Sequence, residues 1–136
     1  MSKAILTVDD SASMRQMLAF ILKGAGYEVV QATSPDEAIA MALEREFDLV
    51  LTDQNMAGGD GISLIGALRK LPAYAAKPII MLTTESSDEM KSKGRAAGAT
   101  GWMVKPFDPN RLLEVVRKFI GLAAHGQPKG IPWRST

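Results

Sequence analysis

Five short apolar runs alternate along the chain with five longer segments in which apolar residues recur at helical spacing. The runs cover residues 4–8, 28–32, 49–52, 78–83 and 101–104. Most carry apolar residues side by side, as strands covered on both faces do. Between the first two runs, Met14, Met17, Leu18 and Ile21 fall at i, i+3, i+4 and i+7, and Gly24 and Gly26 mark the helix end. Ser34-Pro35-Asp36-Glu37 is a capping box with proline at the first helical position, and Ala38, Ile39, Ala42 and Leu43 follow as its apolar face. A third helix begins near Asp60, carries Ile62, Leu64, Ile65 and Leu68, and stops before Pro72. A fourth opens on Ser86-Ser87-Asp88-Glu89 and ends at Gly98. The fifth opens on Asp108-Pro109 and carries Leu112, Leu113, Val116, Phe119 and Ile120.

Strand and helix repeated five times without a long linker predict an α/β fold of three layers, with a doubly wound five-stranded parallel sheet between helices. In such folds the ligand site lies at the carboxyl ends of the strands. The domain is expected to occupy residues 1–121. Residues 122–136, rich in glycine and proline, form a tail expected to be mobile and to add no core.

Composition narrows the chemistry. The 136 residues are 46% apolar and 23% charged, ordinary for one globular domain. There is no cysteine and a single histidine, His125, which excludes thiol catalysis, disulfides and a multi-histidine zinc site. No run approaches the roughly 18 apolar residues of a membrane span, and the N-terminal run is too short for a signal peptide. A cytoplasmic protein without membrane insertion is the expectation. The net charge of +1 is unevenly spread: residues 1–62 hold four basic and ten acidic side chains, residues 63–136 twelve and five. Such a balance gives no reason to expect a nucleic-acid partner.

The strand-end rule says where to look for a site. The first run ends in Asp9-Asp10, the third in Asp53, the fourth in Thr83-Thr84-Glu85 and the fifth in Lys105-Pro106-Phe107. Three carboxylates gathered at one edge repel, and at least one has its pKa raised unless a cation joins them. Mg2+ fits best, because it takes one or two carboxylates together with waters and phosphate oxygens. Lys105 adds a point positive charge and Thr83 a hydroxyl donor. Together with a nucleophilic aspartate, these are the parts of phosphoryl transfer to a carboxylate.

In these motifs the chain resembles the response-regulator receiver domains of two-component signalling, over roughly residues 3–120. The segment Asp53-Gln54-Asn55-Met56 through Asp60-Gly61 is similar to the family's phosphorylation loop, Asp9-Asp10 to its acidic pair, Thr83 to its switch hydroxyl and Lys105-Pro106-Phe107 to its lysine motif. The resemblance implies a flavodoxin-like strand order 2-1-3-4-5 and Asp53 as the phosphate acceptor. It implies Mg2+, with Mn2+ able to substitute, held by Asp10, Asp53 and the Asn55 carbonyl, with Asp9 acting largely through water. Lys105 would pair with Asp53 and then with the phosphoryl group, and its bond to Pro106 is expected to be cis. Thr83 would move to a phosphoryl oxygen, Trp102 occupies the aromatic switch position, and Asn55 and Glu85 would tune a rapid hydrolysis. The implied partners are a histidine kinase and, since the likeness is greatest to single-domain chemotaxis regulators, a flagellar motor switch protein. A monomer that turns over no external substrate is expected, with a single-domain phosphorelay shuttle or another stand-alone receiver as the alternative.

The chain also departs from the family pattern. The proline usual after Met56 is Ala57, and Gly58-Gly59 follow, which predicts a looser loop and a less preorganised Asn55 carbonyl. Trp102 stands where tyrosine or phenylalanine is commoner, and a core role is its simpler reading. The fourth helix has a thin apolar stripe and an interior glycine, Gly94, while Lys91, Lys93 and Arg95 make it basic. Two other classes fit less well. An aspartyl-phosphate phosphatase needs a second carboxylate where Asn55 stands, and a flavin carrier would place phosphate against the acidic segment Asp9-Asp10-Ser11.

Overall fold

The computed structural model describes residues 3–85 and 87–122, so the tail expected from residue 122 lies, but for its first residue, outside the described residues. The strands are β1 (Ala4–Val8), β2 (Glu28–Ala32), β3 (Leu49–Asp53), β4 (Asn55–Met56), β5 (Gly59–Asp60), β6 (Ile79–Thr83) and β7 (Gly101–Val104). The helices are α1 (Ala12–Gly24), α2 (Pro35–Glu44), α3 (Gly61–Arg69), α4 (Asp88–Ala97) and α5 (Pro109–Ile120). Five strands form one sheet in the order β2-β1-β3-β6-β7, every pairing parallel. Counted without the short β4–β5 hairpin, that is the expected 2-1-3-4-5. No helix among the described residues is long and apolar enough to cross a membrane.

Side chains of the central strands alternate between two cores. Leu49, Leu51, Ile80 and Leu82 face α1 and α5, where they meet Leu18, Leu22, Leu112 and Val116. Val50, Ile79 and Met81 face the opposite way, toward Ala38, Ala42, Leu64, Ile65 and Leu68 of α2 and α3. With both faces covered, neither can be polar, and this is why the runs read as continuous apolar stretches. Each α-helix begins on a side chain that accepts a backbone N–H: Ser11, Ser34, Asp60, Ser87 and Asp108. Each cap contributes about 1 kcal/mol and sets where its strand-end loop stops.

Two glycines have packing reasons that the sequence pattern does not reveal. Gly94 is buried in α4, and a Cβ there would lie 3.2 Å from Met81 Cε, so the helix sits close against the sheet because this residue has no side chain. Gly61, the first residue of α3, donates its N–H to the Gln54 carbonyl at 2.9 Å. At the opposite edge of the sheet from the strand carboxyl ends, Arg69 gathers the carbonyls of Gly98, Tyr74 and Lys77 and the hydroxyl of Thr100. All four acceptors are uncharged. They tie the end of α3 to the chain leaving α4 and to the segments entering β6 and β7.

Gly61 generates a direct test. A Cβ added there would lie 2.5 Å from the Asp53 carbonyl oxygen and 3.2 Å from Gln54 Cα, both backbone atoms. Gly61→Ala is expected to destabilise the fold by about 1–3 kcal/mol, the usual range for overpacking. Urea unfolding checks this, and a midpoint equal to that of the parent protein contradicts the close approach.

Candidate functional site

The parallel topology brings the ends of β1, β3, β6 and β7 to one edge. Asp9 follows β1 directly and is 1% exposed. Its N–H donates to the Ala32 carbonyl, its Oδ1 accepts the Ser11 N–H at 2.9 Å, and its carbonyl accepts Arg15 Nη1 at 2.8 Å. Asp9 Oδ2 is buried with no hydrogen-bond partner. Burial raises the Asp9 carboxyl above the ordinary aspartate value. The Ser11 amide lowers it and the charge of Asp53 raises it further, with Lys105 opposing and Asp10 adding.

Asp53 closes β3 and is buried beside Asp9. Lys105, just past β7, places Nζ 2.6 Å from Asp53 Oδ1 and 3.7 Å from Asp9 Oδ2. The shorter contact is a charge-assisted hydrogen bond; the longer one leaves Asp9 Oδ2 facing a cation without a bond to it. The Lys105–Pro106 peptide is cis, as the resemblance implied. The Lys105 N–H donates to the Thr83 carbonyl at 2.7 Å, so lysine and threonine are joined through backbone as well as by proximity.

Asp10 lies at the rim, exposed to solvent. Asp9, Asp10 and Asp53 each offer an oxygen, and these oxygens lie within 4.8 Å of one another. Three carboxylates against one lysine leave an excess of negative charge, and one of their oxygens is buried without a partner. A donor set made only of hard oxygens fits a divalent cation such as Mg2+, Mn2+ or Ca2+ in preference to a thiophilic metal.

Thr83 ends β6 and is buried, its Oγ1 accepting the Glu85 N–H at 3.0 Å. As an acceptor in that bond it retains its own O–H for donation. Glu85 is exposed and accepts from the Ser87 hydroxyl, so its carboxylate is turned to the cap of α4. Asn55 is exposed at the start of β4. Trp102 is half-buried in β7, beside Met81, and packs on the α2–α3 core; Lys91 and Arg95 of α4 each stand 5.6 Å from its ring centroid. Its ring is thus partly core and partly a seat for two cations of the next helix.

The loop after Asp53 differs from the loose segment expected. Asn55 pairs with Asp60 and Met56 with Gly59, making a two-rung hairpin turned at Ala57-Gly58. Gly58 takes φ +86°, which its lack of a Cβ permits. The Ala57 N–H donates to Asp10 Oδ2 at 2.8 Å. Glycine-rich composition signalled freedom, but this long-range bond and the rungs restrain the segment. Ala57 and Gly61 were both named in the loop motif, but the bond from the first to Asp10 and the close backbone approach of the second were not foreseen. The adjoining Asp60-Gly61 pair was a signal for the second; for the first, alanine supplies an N–H, but nothing local says which acceptor it meets.

Comparison with known proteins agrees with this geometry. Residues 5–117 match the response regulator receiver domain. The chain is similar to the phosphate regulon transcriptional regulatory protein PhoB of Pseudomonas aeruginosa, 39% identical over 111 residues that cover 82% of this chain and 48% of that protein. It is similar to the transcriptional regulatory protein ResD of Bacillus subtilis, 38% identical over 120 residues, 88% of this chain and 49% of that protein. It therefore spans about half the length of these curated relatives. Among solved structures, Vibrio cholerae chemotaxis protein CheY4 superposes with a TM-score of 0.85 at 44% identity, covering 88% of this chain and 99% of that one. A response regulator protein from Burkholderia multivorans gives 0.74 at 50% identity, covering 92% and 100%.

These relatives correct the partner expectation of a histidine kinase and a flagellar motor switch protein, with no nucleic acid and a monomeric chain. The PhoB and ResD proteins that share this stretch are named for transcription, not for motility. The physical reason is that the motif residues build the edge of the sheet and carry no information on what the other surfaces meet. Fold, strand-end chemistry and matched residues lead to one conclusion: the chain belongs to the response regulator receiver family.

Proposed function

We propose that the protein is a phosphorylation-controlled switch that takes a phosphoryl group onto Asp53 in a Mg2+-dependent reaction. The single observation that carries this reading is the 2.6 Å contact of Lys105 with Asp53 beside a buried, unpartnered oxygen of Asp9. Asp9, Asp10 and Asp53, with the Asn55 carbonyl, would hold the cation, which when bound supplies positive charge to the phosphoryl oxygens and relieves the carboxylates' repulsion.

The chain's own groups divide the work. Lys105 occupies Asp53 Oδ1, which leaves Oδ2 to attack phosphorus; as the new O–P bond forms, the bond to the leaving group breaks and its electron pair departs with that group. Lys105, already charged, then faces the phosphoryl oxygens without any proton having to move. Thr83 has an O–H to give, and turning toward a phosphoryl oxygen releases the Glu85 amide at the start of the α4 cap. That release is the local event that carries the state of Asp53 toward α4 and Trp102. Hydrolysis restores the start, and Asn55, lacking a second carboxylate's basicity, suits self-limited loss of phosphate better than multiple turnover of an external substrate. The match across nearly all of CheY4 supports chemotaxis as the pathway. Transcriptional control is the second reading, supported by the names of the curated relatives.

Two measurements test this. With Mg2+ and a small acyl phosphate, the parent protein is expected to acquire one acid-labile phosphate, lost within minutes, with a change in tryptophan fluorescence. Asp53→Asn is expected to acquire none. Labelling retained in Asp53→Asn contradicts the site, and a phosphoryl half-life of hours contradicts the self-limited switch.

The second concerns Asp9. Its folded pKa is raised, so the folded protein keeps a proton that the unfolded chain has lost. The stability this gives is full below the unfolded value and disappears as pH rises through the folded one. Asp9→Asn removes that loss. In metal-free buffer at neutral pH the variant is expected to unfold at higher urea than the parent protein, and its advantage shrinks when Mg2+ is added. A variant less stable than the parent in metal-free buffer contradicts the charge conflict.

A further inference from the structure

Besides the Ser11 amide on Asp9, one further backbone amide donates to the acid cluster, from the loop that follows Asp53. Ala57 lies in the turn of the β4–β5 hairpin, and its amide reaches an Asp10 oxygen 47 positions away in sequence. A proline at this position would have no N–H to offer. Asp10 is the exposed member of the three carboxylates. An exposed aspartate is free to rotate, and a ligand that recruits it must first order it.

Here the ordering is already done, by a donor that is itself fixed. Two rungs close the hairpin, and the Gly59 backbone rests on α2, where a Cβ would come within 3.0 Å of Pro35 Cγ. The Gly61 amide holds the far side of the loop to the Gln54 carbonyl, next to Asp53. The bond does not exhaust Asp10, since a carboxylate has two oxygens and about four lone-pair sites, of which one amide takes one. In this orientation Asp10 already offers an oxygen within 4.8 Å of oxygens of Asp9 and Asp53.

We propose that Ala57 is a positioning residue: its backbone N–H sets the Asp10 carboxylate, before any cation arrives, in the orientation in which the cation is bound. This rests on the reading of Asp9, Asp10 and Asp53 as a divalent-cation site. The loop bonds to the ligand, so loop and ligand hold each other. Two glycines are compatible with that arrangement because the tie to Asp10, not backbone stiffness, restrains the turn.

Ala57→Pro deletes the donor, and Met56 before it lies in a strand, the conformation a residue preceding proline prefers. Calorimetric titration with Mg2+ alone is expected to give about fivefold weaker binding in Ala57→Pro, the effect of ordering one side chain. Ala57→Ser keeps the N–H and is expected to bind as the parent protein does. In an Asp10→Ala background, Ala57→Pro is expected to have no further effect on affinity. Binding in Ala57→Pro as tight as the parent's, or tighter, overturns the proposal. So does an equal loss in both backgrounds, which would route the effect through the Asn55 carbonyl and not through Asp10.

Amide hydrogen exchange gives a readout that requires no change at residue 57. The Ala57 amide is expected to be protected in metal-free protein, protected at saturating Mg2+, and unprotected in Asp10→Ala. Protection lost on adding Mg2+ makes the bond a competitor of the cation and overturns the proposal, even if Ala57→Pro does not fold. A parent protein with no saturable Mg2+ binding brings down the reading of the site itself, an outcome distinct from the others.

Discussion

One lysine faces a surplus of negative charge at the edge of the sheet, and the rest of the site is arranged around that imbalance. Lys105 is 2.6 Å from Asp53 and 3.7 Å from Asp9, so a single ammonium is shared unequally between two buried carboxylates. Water cannot settle the difference, because both acids are almost wholly covered. What remains is supplied by backbone N–H groups, Ser11 to Asp9 and Ala57 to Asp10, and by the proton that Asp9 retains more readily than an exposed aspartate. A buried charge left partly unpaired is destabilising. A parallel sheet that gathers its strand ends in one place holds these groups in that unfavourable arrangement, and so keeps them ready for a cation and a phosphoryl group.

The two apolar cores hold that edge together. Side chains alternating along β3 and β6 are buried on opposite faces, so these strands cannot shift by one residue without exchanging the two sets. Asp53 and Thr83, at the ends of those strands, inherit that fixed register. Arg69 performs the complementary task at the other edge, where it collects four acceptors from two separate stretches of chain. The helix between the two edges, α4, lies flush against Met81 because Gly94 has no side chain.

What could be read from the sequence was local or periodic. Caps at Ser34 and Asp108 are visible because a serine or aspartate beside a proline acts on its own neighbours. The edge where Asp9, Asp53, Thr83 and Lys105 meet follows from strand periodicity and the topology rule. The hairpin was not legible: its strands are two residues each, too short for any period, and its restraint comes from Asp10, 47 positions away. Gly58 and Gly59 were read as looseness because composition reports freedom in the unfolded chain and is silent on distant partners. The packing reason for the interior Gly94 of α4 was hidden in the same way, since Met81 is on a strand that the helix pattern does not include. Arg69 gave no signal, because a guanidinium surrounded by neutral acceptors has no acidic residue to betray it in the sequence.

That choice of acceptors has a consequence for how the two ends of the molecule respond to their surroundings. Carbonyls and a threonine hydroxyl do not titrate, and they present no opposite charge for salt to screen. The joint made by Arg69 is therefore deaf to acidity and nearly so to ionic strength. The opposite edge, built from three carboxylates and an ammonium, answers to both. The Arg69 joint is indifferent to conditions that the strand-end site answers, so a change in acidity or salt reaches the site without loosening this one anchor.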